Sequence, residues 1–131
     1  MGLSVEDRLD ILDLYGRYAQ TIDFGDAAGW AACFSSDGVF KTPANELVGT
    51  EALTAMVANQ PATSKGQRHF MSNIVLSGDG ATAQGTAYLQ LTAPPKEGEP
   101  RAIAATGVYR DQLAKTADGW RFTRRDISIE R

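Results

Sequence analysis

His69, within Gln67-Arg68-His69-Phe70-Met71-Ser72-Asn73, is the only histidine in the 131-residue chain. An imidazole titrates at about pH 6.5 when unperturbed, so near neutrality it can take a proton and return it, as a general base must. Asn73 follows His69 by four residues, and a regular strand would point both side chains to one face with Met71 between them. An amide there can hold a substrate carbonyl or hydroxyl, although a polar residue at a strand bend is the plainer alternative. Arg68 has the opposite parity and is expected to point away from that face.

Other chemistries lack their residues. Cys33 is the only cysteine, which excludes an internal disulfide and a cysteine-built zinc site. In Trp30-Ala31-Ala32-Cys33-Phe34 it reads as a small buried filler in a helical context, because a nucleophilic thiol needs a base within reach. Ser77-Gly78-Asp79-Gly80 is a hairpin turn without the lysine and helix of a phosphate loop. No HExxH pattern or histidine–carboxylate cluster at metal spacing occurs, so neither a metal nor a cofactor is expected. The acid pair of a glycoside hydrolase cannot be assigned.

With 13 Lys and Arg against 16 Asp and Glu the net charge is −3, which gives no electrostatic case for nucleic acid or an anionic membrane. Arg121, Arg124 and Arg125 read as a solvated strand edge rather than a phosphate track. The hydrophobic share of 43% and charged share of 22% are those of a soluble globular chain. No basic flank and apolar run mark a signal peptide, and no segment approaches the roughly 20 apolar residues of a membrane span. The expectation is a single domain over residues 1–131, located in the cytoplasm.

The elements that must hold His69 divide into helices first and strands afterwards. Ser4-Val5-Glu6-Asp7 resembles a capping box, and Leu9, Leu12, Tyr15, Ala19 and Ile22 recur at helical spacing, predicting a helix over about residues 5–23. Gly25 can adopt the left-handed conformation that ends it. Asp26 caps a second helix carrying Trp30 and Phe34, and Asp37-Gly38 forms a turn before a short strand from Val39 to Pro43. Thr50 caps a third helix with Leu53, Met56 and Val57 inward.

After Gly66 the period falls to about 2. Strands are predicted over residues 69–76, 82–92, 102–113 and 120–129, with a hairpin at Ala117-Asp118-Gly119. In the last strand Trp120 and Phe122 have one parity and Ile127 and Ile129 the other, so a bulge between Arg124 and Asp126 would bring all four into the core. The pattern predicts an α+β fold whose curved, mostly antiparallel sheet wraps around the N-terminal helices and leaves a pocket at one end.

Tyr18-x-x-x-x-Asp23-x-Gly25-Asp26, followed by Trp30, Phe34 and Asp37-Gly38, resembles the first half of the SnoaL-like families of the nuclear transport factor 2-like superfamily. His69-Phe70-Met71-Ser72-Asn73 and the closing Asp118-Gly119-Trp120-Arg121-Phe122 continue the match over nearly the whole chain. The resemblance implies the cone-shaped fold, which hosts scytalone dehydratase, a dehydrochlorinase, polyketide cyclases, ketosteroid isomerase, dioxygenase small subunits and proteins that only bind. In the dehydratase and dehydrochlorinase an Asp ending the first helix pairs with a His opening a strand, which implies Asp23 as the orienting partner of His69. The isomerase implies Tyr18 as a phenol donor. Its base, however, falls on Thr42 and its second donor near Ala104, so isomerase chemistry of that kind lacks both acids. The dehydratase's second histidine is also missing, which leaves the leaving-group acid unassigned.

Together these imply a cofactor-free lyase, a dehydratase or a related elimination, acting on a small, largely apolar cyclic substrate. His69 and Asp23 are its catalytic candidates, and Tyr18, Met71 and Asn73 its substrate contacts. The alternatives are a polyketide cyclase or isomerase-like enzyme, a non-catalytic binder and an oxygenase small subunit. The flat, small-residue strands over 82–92 and 102–110 further suggest a homo-oligomer, a dimer before a trimer.

Overall fold

The computed structural model describes residues 2–130. Helix α1 spans Val5–Asp23, α2 Ala27–Ala31 and α3 Thr50–Ala58; strands β1 to β6 span Phe34–Lys41, Glu46–Val48, Arg68–Gly78, Thr82–Thr92, Ile103–Thr116 and Gly119–Glu130. They form one six-stranded sheet in the order β2-β1-β6-β5-β4-β3. β1 runs parallel to β6, and the other neighbours are antiparallel. The open order leaves β2 and β3 as edges, with the helices covering the inner face.

The start of α1 follows from its cap. Ser4 Oγ accepts the Asp7 N–H at 3.0 Å, and the Asp7 carboxylate, itself buried, accepts Trp120 Nε1 at 3.0 Å and Lys115 Nζ at 3.1 Å. One short polar cluster thus fastens the helix start to the β5–β6 hairpin. At the other end Gly25, at φ 73°, takes the left-handed turn that β-carbon crowding would penalise in other residues. Asp26 Oδ1 then caps α2 by accepting the Gly29 N–H at 2.9 Å.

The buried stripe of α1 is Ile11, Leu14, Tyr15, Tyr18 and Ile22, shifted from the expected one. Leu9 and Leu12 are 61% and 43% exposed, and Leu12 and Ala19 instead line a cavity. The helix therefore carries two apolar stripes, one for the core and one for the cavity wall, and sequence periodicity merges them.

Other local expectations need correcting. Phe34 opens β1 rather than belonging to α2, and Asp37-Gly38 lies within β1 at a register shift rather than in a turn. Gly49, at φ 88°, occupies the cap position of α3, and Thr50 is its first helical residue. β6 bulges at Thr123, since Gln112 pairs with Arg124 while Leu113 pairs with Phe122. Trp120, Phe122 and Ile127 consequently turn inward, but Ile129 stays 37% exposed. In β4 the small residues Ala83, Gly85 and Ala87 face the core, so the outer face carries Gln84, Thr86, Tyr88 and Gln90. Among the described residues no helix is long and apolar enough to cross a membrane.

Candidate active site

Asp23 is the last residue of α1, and His69 is the second residue of β3. Although 46 residues separate them, His69 Nδ1 lies 2.5 Å from Asp23 Oδ1, and the His69 backbone N–H donates to Asp23 Oδ2 at 2.9 Å. A carboxylate facing an imidazole nitrogen only accepts, so Nδ1 carries the proton, and in the neutral ring the lone pair is then on Nε2. The side chains are 9% and 4% exposed, and His69 has no second protein partner among the described residues. Little solvent therefore weakens the pair.

Both residues border a cavity of about 590 Å³ at the end of the sheet. Leu12, Tyr15, Gly16 and Ala19 of α1 form one wall. His69, Met71 and Ile74 of β3 form the other, and Phe24 and Arg68 stand at the side of the Asp23 turn. The walls are mainly apolar, with Gln20 and Arg68 adding polar groups. Arg68 thus lines the cavity, contrary to its expected outward direction: its guanidinium stacks over the Phe24 ring, 5.0 Å from the centroid.

Asn73 does not share the face of His69. β3 bulges between Ser72 and Val75, and Asn73 sits there at φ 54°, in the left-handed region that asparagine tolerates better than most residues. The extra residue inverts the parity, so Ile74 follows His69 and Met71 into the cavity while Asn73 is exposed on the outer face. Tyr18 does not reach the cavity either. It is 1% exposed in the core, packed against Trp30, Phe40 and Tyr109, and burial raises its phenol pKa. Of the expected substrate contacts, only Met71 lines the cavity.

Beneath Met71 lies a charged cluster that sequence reading missed. Arg125 is fully buried rather than at a solvated edge, and its Nε and Nη2 donate to the two Asp111 carboxylate oxygens at 2.8 and 3.1 Å. Tyr109, Tyr18, Phe122 and Tyr15 surround the guanidinium, with ring centroids 3.6, 4.3, 4.4 and 4.8 Å from its central carbon. Burial opposes the charge on Arg125, but the Asp111 carboxylate and the hydroxyls of Tyr18, Tyr109 and Tyr15 together outweigh it and raise the arginine pKa. Burial also pushes the Tyr15 phenol up, and its hydroxyl donates to Asp111 Oδ2 at 2.5 Å.

That hydroxyl passes over Gly85, which pairs with Asp111 across the β4–β5 ladder and whose missing β-carbon leaves the room it needs. Arg125 Nη1 is directed toward the cavity floor, where it donates to Met71 Sδ at 3.4 Å. The signal in the sequence was the shared parity of Arg125 and Ile127 beyond the bulge. Among the described residues no three His, Cys, Asp or Glu side chains gather at metal-binding distance.

Over residues 3–126 the chain matches the family model described as a SnoaL-like domain. No curated protein matches it. Among solved structures it is similar to a protein of unknown function from Mycobacterium tuberculosis, at 30% identity over 95% of this chain and 72% of that one, with a TM-score of 0.88. A nuclear transport factor 2-like protein with a cystatin-like fold from Novosphingobium aromaticivorans aligns over 95% of this chain and 82% of that one, at 24% identity and a TM-score of 0.87. A scytalone dehydratase candidate from the same organism aligns over 98% and 89%, at 20% identity and a TM-score of 0.82. The last two share the fold.

Proposed function

The chain belongs to the SnoaL-like family, and from that footing we propose that it is a cofactor-independent lyase acting on a small, largely apolar cyclic substrate. The observation that carries the proposal is the Asp23–His69 pair, tautomerically fixed and bordering a mainly apolar cavity. The scytalone dehydratase candidate supports the same reaction class.

In this reading His69 Nε2 removes a proton from a substrate carbon. The electrons of the broken C–H bond form a double bond and expel a leaving group from the neighbouring carbon. Asp23 holds the ring in the productive tautomer and stabilises the imidazolium that forms, the role an aspartate has in a Ser-His-Asp triad. When the leaving group is hydroxide, the imidazolium returns the proton to it and releases water, so one residue serves as base and then acid. That resolves the missing second histidine. Met71 and the helix wall hold the ring by apolar contact and keep water away.

The test is a screen of cyclic hydroxy-ketones and related compounds for loss of water or ring closure. A hit whose turnover falls about 100-fold or more in His69→Ala, with folding intact, supports the assignment. A hit with unchanged turnover in that variant removes His69 as the base.

A further inference from the structure

The His69 cavity has a neighbour. A second cavity, of about 500 Å³, lies beyond the end of α1 between α3 and the segment that leads into β3, lined among others by Val57, Pro61, Lys65 and Gly66. The two share Asp23, Phe24 and Arg68 as common wall. The Arg68 guanidinium and the Phe24 ring, stacked on each other, therefore stand between the chamber that holds His69 and the one that holds Lys65. Phe24 is 68% exposed, so no core packing locks the stack in place.

The charges around this junction are one-sided. Asp23 is the only carboxylate lining either cavity, and both its oxygens are engaged by His69. Among the described residues neither Arg68 nor Lys65 has a carboxylate within ion-pairing distance. The hydrogen bond recorded for the Arg68 guanidinium goes to the Gln67 carbonyl, at 2.7 Å, which leaves its other donors open. Arg101 fixes the segment that carries both cations, donating from Nη1 to the Gly66 carbonyl at 2.6 Å and to Thr92 Oγ1 and the Ala93 carbonyl at 3.3 Å each. Two cations lacking a protein counter-ion thus border adjoining cavities in a chain whose net charge is −3.

We propose that the ligand is amphiphilic: its apolar ring occupies the His69 chamber, and a carboxylate arm extends into the second cavity between Arg68 and Lys65. A guanidinium offers a carboxylate two parallel N–H donors, and a nearby ammonium adds attraction without demanding a fixed geometry. The arm displaces nothing ionic, because no protein carboxylate competes for either cation. Arg68 and Lys65 are then specificity-determining residues that select anionic over neutral ligands and set which ring atom meets His69. The inference rests on the His69 chamber being the ligand site and deepens that reading by naming the ligand class.

Binding rather than turnover tests it, so that its failure is distinguishable from failure of the lyase reading. The probes are 2-naphthoate and its uncharged amide, titrated by calorimetry at pH 7 and low salt. The expected result is naphthoate binding about 10-fold or more tightly than the amide, a preference that shrinks as salt screens the pair. In Lys65→Gln/Arg68→Gln the two affinities should converge, and thermal unfolding should show that the variant folds. Equal affinities in the unaltered protein, absence of naphthoate binding at millimolar concentration, or a preference that survives the double substitution would each overturn the inference. An empty substrate screen alongside an intact naphthoate preference would count against the lyase reading alone.

Discussion

Asp23 holds His69 at two points, the ring through Nδ1 at 2.5 Å and the chain through the backbone N–H at 2.9 Å. One carboxylate therefore sets the tautomer of the imidazole and also anchors the start of β3 to the last turn of α1. The two roles separate in Asp23→Asn, whose amide oxygen can still accept from the backbone but no longer supplies the counter-charge.

For catalysis, Asp23→Asn should lower kcat while leaving the start of β3 in place, as read by amide chemical shifts. His69→Ala and Asp23→Asn should each cost about 100-fold or more, and the double variant little beyond the worse single one. Full multiplicative losses in the double variant would show that the two residues do not act as one unit.

The buried ion pair predicts an asymmetric stability response. Arg125→Met leaves the Asp111 carboxylate without its charge partner in a dry core and should cost about 3–5 kcal/mol in urea unfolding. Arg125→Met/Asp111→Leu removes both charges and should recover much of that loss, the remainder reflecting Tyr15, whose hydroxyl then lacks its acceptor. A double variant as unstable as the single one would place the cost in packing rather than in an unpaired charge.

Acid sensitivity should trace in part to Asp7. The Trp120 indole N–H and the Lys115 ammonium lower its pKa from 3.8 to about 2. A carboxyl whose folded pKa lies below its unfolded one contributes stability that is complete above the unfolded value and fades as pH falls through the folded one. Unfolding free energies measured between pH 6 and pH 2 should therefore drop less steeply in Asp7→Asn than in the unaltered protein. Parallel curves would exclude Asp7 as a contributor.

Assembly is the fourth expectation. The outer sheet face carries Tyr88, 56% exposed, and we propose that copies of the chain pair through it. Light scattering at micromolar concentration should give a dimer mass that falls to monomer in Tyr88→Arg. A monomeric unaltered protein would dismiss the pairing.

What the chain determines by itself is local. The Ser4 cap and Gly25 bound α1 where periodicity predicts, and β4 covers Thr82–Thr92 as expected, because a cap, a left-handed glycine and a turn act on their immediate neighbours. The solitary histidine was equally legible, since its chemistry belongs to the residue type. The face on which a side chain emerges was not. The bulge at Asn73 turns that residue outward, and the one at Thr123 turns Arg125 inward; each is fixed by the register of the neighbouring strand. Burial of Arg125 requires Asp111 from β5 and rings from α1, β5 and β6 to converge on one point. No sequence period records that convergence, because desolvating a guanidinium is tolerable only where tertiary contacts supply a counter-charge and aromatic faces together.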